Sequence, residues 1–357
     1  MKRIVQVILI NVSVEDQIVP SEWDNFVASC SNGTIFHVSA WKRVLEMQGL
    51  RSAYFVARDG QGSMLSACPF FLVSILGGIA SSLISLPKSD IGGPIFKDGS
   101  NSAEIGIHLM KAIKRTALMR RVPLAVAAVA DSVASNSLSF GNVTVSSTSG
   151  FFVLDLDRLP PESIWSSFSH SGRQRTEITR MDKDGFTFYV GGSHTDLSEF
   201  YMLYRTTVQR AGGKAYPYSL FSCIMSLMHP RNFNLLMVRK GDRPVGGLGV
   251  LCYPEKKQLH TMYAAYDRSA GNRYPVHLYI NWKALLWARA SGYRYINFGT
   301  TSANPLDGNY RFKQQFGGRF VRKVVVKQLM VPNLVGSLLR RMNQNIQFRR
   351  LLSSQTS

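Results

Sequence analysis

Apolar residues in the first 150 positions alternate between the two-residue period of strands and the three-to-four-residue period of helices. In the segment 101–120, for example, Ile105, Leu109 and Ile113 fall on one face, whereas Lys114 lies elsewhere. These periods predict strands at 2–12, 52–58, 64–73, 83–86 and 122–129, and helices at 21–30, 38–48 and 101–120. Strands interleaved with helices are typical of an α/β domain.

The second part of the chain repeats this alternation. The predicted strands are 151–156, 234–239, 245–253, 258–266 and 293–298, and the predicted helices are 161–184, 196–210 and 275–291. The sequence LLMVRKGDRPVGGLGV resembles YFVARDGQGSMLSACP of the first part, so that Arg58 and Gly60 correspond to Arg239 and Gly241. A strand, turn, strand unit that recurs in this way predicts an internal duplication.

The repeat predicts two domains, at 1–148 and 149–330, followed by a basic amphipathic tail at 331–357. We place the boundary between the domains in the serine-rich segment 131–149. In the tail, Leu334 and Leu338 begin a series of apolar residues at helical spacing, with arginines alongside. Such a helix can lie on an anionic membrane surface, or it can pack on its parent domain.

Two apolar segments raise the question of membrane insertion. The first ten residues are interrupted by Gln6 and lack a small-residue cleavage site, so we expect a first strand and not a signal peptide. Residues 62–87 carry no charge, but Pro69 and the pair Gly77-Gly78 interrupt them. This pattern favours strands joined by a turn over a transmembrane helix. We therefore expect a cytoplasmic protein, with association at the inner face of the membrane through the tail as an alternative.

The charge of the chain is uneven. The formal net charge is +20; residues 1–150 have 13 basic and 10 acidic side chains, and residues 151–357 have 29 and 12. This asymmetry suggests a polyanionic partner for the second part, such as tRNA, a phosphate-bearing precursor or an anionic membrane. A generally basic background would also explain much of it. The four cysteines and seven histidines show no metal-ligand spacing, so we predict no metal.

A strand that ends at Gly299 leads through a polar loop into an aromatic-basic segment with paired glycines, FGTTSANPLDGNYRFKQQFGG at 298–318. The segment contains the unit Tyr310-x-Phe312-Lys313, followed by Phe316 and Gly317. Alone, this pattern also fits a hairpin loop followed by an amphipathic segment with a solvated lysine.

Three further segments occur in the order that a known family shows: FHVSAWKRVLEMQGL at 36–50, SLPKSDIGGPIF at 85–96 and GRQRTEITRMDKDGFTF at 172–188. With the segment 298–318, the chain resembles the FemABX-like peptidoglycan aminoacyltransferases, which are GNAT-like N-acyltransferases. The resemblance implies an α/β (α+β) fold of two tandem GNAT-like acyltransferase domains, each a mixed twisted sheet flanked by helices. It also implies an enzyme of cell-wall or polysaccharide biogenesis.

The loop at 267–274 lies where GNAT enzymes hold the coenzyme A pyrophosphate on backbone N–H groups and a helix N-terminus. Arg268 and Gly271 match the motif of those enzymes, whereas Arg273 replaces a small residue and weakens the match. These three are the candidate cofactor-binding residues. The long coiled-coil arm of some tRNA-using members of the family is absent. The donor is therefore open between acyl-CoA and aminoacyl-tRNA, and no tightly bound cofactor is expected.

Acyl transfer to an amine requires a group that positions or deprotonates the amine, and a group that stabilises the negative oxygen of the tetrahedral intermediate. Lys313 is the candidate for the second role, and the resemblance implies the same role. Asp90 is the candidate for the first, and Tyr310 for a hydrogen bond to substrate. The candidate substrate-binding residues are Trp41, Lys42, Arg173, Arg175, Arg180, Phe312 and Gly299.

The sequence thus predicts a transferase that moves an acyl or aminoacyl group to an amine of a cell-envelope precursor, either a peptidoglycan stem peptide or an amino sugar of an exported polysaccharide. The alternatives are an acyl-CoA-dependent N-acetyltransferase with another acceptor, or a non-catalytic scaffold of the same fold that binds precursor or RNA. The oligomeric state is left open.

Overall fold

The computed structural model describes residues 10–75, 80–130, 143–168, 173–267 and 274–330. Contacts divide the chain into two units: unit 1 contains the residues up to Ser147 and those from Lys323 on, and unit 2 is Thr148–Arg322. Residues 323–330, which the sequence analysis assigned to the second domain, thus lie in unit 1, because Lys323–Leu329 pair with the strand Leu124–Ala130.

Unit 1 is a mixed sheet with helices on its faces. Its elements are β1 (Asn11–Glu15), α1 (Pro20–Ser29), α2 (Ser39–Met47), β2 (Arg51–Arg58), β3 (Met64–Ile75), β4 (Ala80–Ile84), β5 (Ile95–Phe96), α3 (Ser102–Met119) and β6 (Leu124–Ala130), with part of β7 (Val143–Asp155) and of β13 (Arg319–Leu329). Strands β1 to β4 pair antiparallel in sequence order, β4 is parallel to β6, and β5 pairs with β3. The uncharged segment 62–87 therefore includes two paired strands, as the sequence predicted.

The two faces of the unit 1 sheet bury different apolar sets. Phe55 and Leu83 point to the side of α3 and belong to one cluster with Ile105 and Leu109. Tyr54, the neighbour of Phe55, points to the opposite face, where its ring lies 4.9 Å from that of Trp23 on α1. The alternation along β2 thus buries both faces of the strand, which explains its almost continuous apolar sequence.

Unit 2 has the same architecture. Its elements are the rest of β7, α4 (Pro161–Ser167), α5 (Arg173–Lys183), β8 (Phe186–Gly191), α6 (His194–Arg210), α7 (Tyr218–Met228), β9 (Phe233–Lys240), β10 (Arg243–Tyr253), β11 (Gln258–Tyr266), α8 (Val276–Ala290), β12 (Tyr295–Ser302), α9 (Gly308–Gln314) and the start of β13. Strands β8 to β11 pair antiparallel in sequence order, β11 is parallel to β12, and β12 is antiparallel to β7.

Glycines in β10 allow helices to approach both faces of this sheet. A Cβ atom at Gly246 would lie 2.6 Å from Cγ1 of Val276 on α8, and one at Gly247 would lie 2.6 Å from Cδ2 of Phe200 on α6. Adjacent residues of a strand point to opposite faces. The Gly-Gly pair of β10 therefore lets α8 and α6 pack closely on the two sides of the strand.

The order of elements supports the predicted duplication. In unit 1 the order β1, α1, α2, β2, β3, β4, α3, β6 matches β8, α6, α7, β9, β10, β11, α8, β12 of unit 2, with the same antiparallel and parallel pairings. Arg58 at the end of β2 is paired with Glu22 of α1, and Arg239 near the end of β9 is paired with Glu199 of α6. The two arginines that correspond in sequence thus form ion pairs with helices that correspond in the two units.

Several elements differ from the sequence prediction. The predicted helix 161–184 is two described helices, α4 and α5, and residues 169–172 between them lie outside the description. Helix α7 was not predicted, although its buried residues Leu220, Phe221, Ile224 and Met228 recur at helical spacing. Strand β13, which falls in the predicted second domain, was not predicted as a strand. In β13, Lys323 and Lys327 alternate with Val324 and Val326, a two-residue period that the run of basic residues obscured.

Candidate active site

Strand β12 bends at Gly299, next to the residues that carry the predicted site. Gly299 has φ of +73°, and its N–H donates to Oδ1 of Asn297 at 2.8 Å. The register of β12 with β7 shifts between Asn297 and Thr300. A positive φ is readily adopted only by glycine, so the residue type at 299 permits this bulge.

Helix α9 begins directly after the polar loop and presents Lys313 to this bulge. The side chain of Asp307 caps the helix by accepting from the N–H groups of Asn309 and Tyr310. One turn later, Nζ of Lys313 donates to the carbonyl oxygens of Gly299 and Thr300, each at 2.9 Å. The ammonium is therefore held at a fixed point on β12, and the predicted role on a tetrahedral oxygen stays a prediction.

Aromatic packing fixes the position of α9. Phe316 is fully buried, and its ring is stacked on that of Phe298 at 5.1 Å between centroids. The ring of Tyr310 lies 4.9 Å from that of Phe152 and 5.2 Å from that of Phe320. The helix that carries Lys313 is thus attached to the core of unit 2 at two points, and Tyr310 is one of them. Its predicted hydrogen bond to substrate stays untested.

The parallel strands β11 and β12 pair over a short stretch and then separate. Their register covers Gln258 to His260 opposite Tyr295 to Asn297. Beyond this point β11 stays paired with β10 as far as Tyr266, and β12 stays paired with β7 as far as Ser302. Among the described strands, nothing pairs with the facing edges of these two segments. We call this space the β11/β12 opening; the Lys313 ammonium lies at its β12 side.

Two rings contact a histidine at the end of this opening. His277, in the first turn of α8, lies 6.2 Å from the ring of Tyr266 and 4.9 Å from that of Phe312 on α9. Burial raises the pKa of Tyr266 to about 12, although a hydrogen bond from Asn281 acts in the opposite direction. Burial lowers the pKa of His277. Phe312, predicted to contact substrate, therefore lies at the opening, and the sequence analysis overlooked His277 because it lacks a motif.

Basic side chains surround the start of α8. The guanidinium of Arg180 lies 4.9 Å from the ring centroid of Tyr274, and Nζ of Lys240 lies 4.4 Å from it. Arg180 also pairs with Glu177. Arg173 and Arg175 lie in the first turn of α5. The predicted cofactor-binding residues Arg268, Gly271 and Arg273 lie outside the described residues, as does the tail at 331–357.

In unit 1, the segment 85–93, which carries Asp90, runs along the edge of β6. The N–H of Ser85 donates to the carbonyl of Val126, and the N–H of Gly92 donates to that of Ala128. Between them, Leu86 and Lys88 have φ of +47° and +62°. Backbone strain of this kind persists where surrounding contacts enforce it, and it is concentrated at functional sites.

Two lysines accompany this strained segment. Burial lowers the pKa of Lys88. Burial also lowers the pKa of Lys323 on β13, and the nearby carboxylate of Asp90 raises it. Asp90 thus lies in a partly buried environment near the ammonium group of Lys323. The turn-forming sequence around Asp90 did not predict these surroundings.

Trp41 and Lys42, which the sequence predicts to contact substrate, are both buried. Trp41 is fully buried, and its Nε1–H donates to Oγ of Ser89 at 2.7 Å. Lys42 is 7% exposed and is paired with Glu46. Any effect of Trp41 on a substrate would therefore act through the segment 85–93, and the charge of Lys42 already has a carboxylate partner.

Two further observations bear on the class of site. No group of three potential metal ligands occurs among the residues that the structure describes. Within the same ranges, none of the helices has the length and apolar character needed to cross a membrane.

Substitution of Gly299 by alanine is expected to lower the free energy of unfolding by about 1–2 kcal/mol, because an L side chain is disfavoured in the left-handed region. It should also reduce transfer activity, because the carbonyl that binds Lys313 is displaced. Urea denaturation and the activity assay check both effects. Gly308→Ala is the control, since a Cβ atom there meets nothing within 4 Å; equal losses in both variants would contradict a special role for the bulge.

The comparisons with known proteins agree with this geometry. Residues 169–314 match the family model described as "Acetyltransferase (GNAT) domain". No curated protein sequence matches the chain. Among solved structures, FemX is similar over 92% of this chain and 99% of its own, with TM-score 0.71 and 14% identity.

Two further structures extend this similarity. The C-terminal domain of a putative lysylphosphatidylglycerol synthetase from Agrobacterium fabrum is similar over 86% of this chain and 91% of its own, with TM-score 0.58 and 11% identity. A tandem GNAT protein from the clavulanic acid biosynthesis pathway is similar over 91% of this chain and 100% of its own, with TM-score 0.59 and 12% identity. Residues 169–314 thus match a GNAT acetyltransferase domain, and the chain has the fold of FemX and of the tandem GNAT protein.

Proposed function

We propose that the protein transfers an acyl or aminoacyl group to an amine of a cell-envelope precursor, either a peptidoglycan stem peptide or an amino sugar of an exported polysaccharide. The observation that carries the proposal is the β11/β12 opening, with the Lys313 ammonium fixed at its edge. In such a site the amine attacks the carbonyl carbon of the donor, a C–N bond forms, and the bond from that carbon to the leaving sulfur or oxygen breaks.

The opening suits a donor with an extended, amide-bearing arm. Two strand edges that face each other without a partner present N–H and C=O groups at the spacing of a ladder. An extended chain inserted there gains main-chain hydrogen bonds in the manner of an added strand. Acyl-CoA has such an arm. This observation favours acyl-CoA as the donor, whereas the positive charge of the second part of the chain supports aminoacyl-tRNA.

The bend of β12 supports the role of Lys313 in the chemistry. A cation in a site that excludes water stabilises the negative charge that develops on the tetrahedral oxygen. The two carbonyls that hold Nζ fix its position before the reaction, so that little reorganisation is needed when charge develops. Phe312 on the same helix meets the buried ring of Phe316, just after the helix, edge to face at 5.5 Å.

Fewer structural observations bear on the acceptor than on the donor. A phosphate-bearing precursor suits the arginine and lysine around Tyr274 in unit 2, because guanidinium and ammonium groups bind phosphate oxygens. The role of Asp90, in the strained segment of unit 1, in positioning an amine stays a prediction. One of the proteins of similar fold is a putative lysylphosphatidylglycerol synthetase, an envelope-lipid enzyme by its name.

The test is a transfer assay with two donors. The purified chain is incubated with labelled acetyl-CoA or with charged tRNA, and with a nucleotide-linked muramyl pentapeptide or an amino-sugar polymer. We expect label in the acceptor with one of the donors and little label with Lys313→Met. Absence of transfer with both donors to either acceptor would overturn the proposal, and transfer only to unrelated amines would overturn the envelope acceptor.

A further inference from the structure

We propose that His277 is the general base of the reaction, which takes the proton from the attacking amine at the end of the β11/β12 opening. This inference rests on the proposed acyl transfer, and it names a residue for which neither the sequence motifs nor the fold comparison provides a role.

The position of His277 is the first argument. It lies in the first turn of α8, and its ring contacts Tyr266, the last residue of β11, and Phe312, which precedes Lys313 on α9. Helix α9 follows β12 in the chain and contributes Lys313 to the bulge of that strand. The imidazole therefore spans the end of the opening, between the side formed by β11 and the side formed by α9.

The availability of the ring nitrogens is the second argument. Within the part of the chain that the structure describes, neither ring nitrogen of His277 has a hydrogen-bond partner. By contrast, Nε2 of His37 contacts the carbonyl of Gly93, and Nδ1 of His229 contacts the carbonyl of Phe233. In those two residues a ring nitrogen contacts a backbone carbonyl, whereas the ring nitrogens of His277 can contact an incoming group.

The charge state of the ring is the third argument. His277 is exposed at the surface of the opening, yet the neighbouring rings remove enough water to lower its pKa. The side chains that contact the ring are Tyr266 on β11 and Phe312 on α9. Desolvation disfavours the imidazolium and lowers the pKa of His277. At neutral pH the ring therefore has a nitrogen that can accept a proton.

The proposed step balances without another reactant. The neutral amine attacks the donor carbonyl carbon and forms the C–N bond, and the amine proton passes to the free nitrogen of His277. As the tetrahedral intermediate collapses, the bond to the leaving sulfur or oxygen breaks, and the imidazolium gives its proton to that atom. The ring is neutral again at the end of each turnover.

The test is the pH dependence of His277→Gln and His277→Phe, measured with the donor that the wild type uses. We expect kcat/KM to fall by about 10²–10⁴-fold, the range for a lost general base. Donor affinity, measured by calorimetry, should change little. In the wild type, kcat/KM should decrease as the pH falls through a value below the ordinary histidine pKa of about 6.5, and this inflection should be absent from both variants.

His194→Gln is the matched control, because His194 is an exposed histidine in the first turn of another helix, α6. It should retain the wild-type rate and pH profile. If the wild type transfers and His277→Gln keeps both its rate and the acidic inflection, the inference is wrong and the proposed function stands. If the folded wild type transfers nothing, the proposed function falls, and the inference falls with it. Thermal denaturation identifies a variant that fails to fold, and the other variant then decides.

Discussion

Substitution of Lys313 by methionine is expected to lower kcat for acyl transfer by about 10²–10³-fold, the loss seen when one stabilising donor to a tetrahedral oxygen is removed. Methionine keeps most of the length of the side chain but has no ammonium to donate to Gly299 and Thr300 or to stabilise developing charge. Steady-state kinetics with saturating donor measures the effect, and circular dichroism checks the fold.

Arg311→Met is the control for Lys313→Met. Arg311 lies two positions earlier on the same helix, is exposed, and donates to the carbonyl of Pro305. The control should keep most of the wild-type kcat. A Lys313→Met enzyme that turns over at the wild-type rate would remove Lys313 from the chemistry. If kcat falls only to the extent that the melting temperature falls, Lys313 stabilises the β12 bulge and has no part in the chemistry.

Substitution of Phe316 by alanine is expected to lower the free energy of unfolding of unit 2 by about 3–5 kcal/mol, the cost of removing a fully buried phenyl ring. The ring is stacked on Phe298 and meets Phe168 edge to face at 5.6 Å, so its loss leaves a cavity between α9, β12 and α4. Urea denaturation followed by tryptophan fluorescence measures the change. Activity should fall as well, because α9 and Lys313 lose their anchor.

Leu306→Ala serves as the control for Phe316→Ala. Leu306 is in the loop before α9 and is 74% exposed, so its truncation should change stability by less than about 0.5 kcal/mol. Phe316→Leu fills part of the cavity and should give an intermediate loss. Equal stability of Phe316→Ala and the wild type would show that α9 is held by other contacts.

The elements with a clear period were predictable from the sequence. Strand β11 is found at the predicted residues 258–266, and α3 and α8 begin and end within one residue of the predictions. In each, a regular apolar face meets a continuous core. Helix α7 and strand β13 were not predicted; in β13 the basic residues obscured the two-residue period.

The sequence predicted several residues of the candidate site but not the contacts between them. The motif placed Gly299, Phe312 and Lys313 together because they are close in sequence. It did not show that the ammonium of Lys313 binds the carbonyl of Gly299, because that contact depends on a bulge set by one Asn297 side chain. Trp41 was assigned to substrate, but the core holds its ring. His277 was overlooked, because it has no motif and its two aromatic contacts come from elements distant in sequence.

The segment 85–93 makes the two repeats differ at one strand edge. In unit 1 the edge of β6 that follows its parallel pairing with β4 accepts a hydrogen bond from Gly92 of the same chain. The corresponding edge of β12 in unit 2 meets no described strand. The two repeats thus differ at corresponding strand edges: the edge of β6 is bound by its own polypeptide, whereas among the described strands that of β12 is not. If the β11/β12 opening holds the donor as proposed, each chain binds one donor molecule, and the first repeat is not required for donor binding.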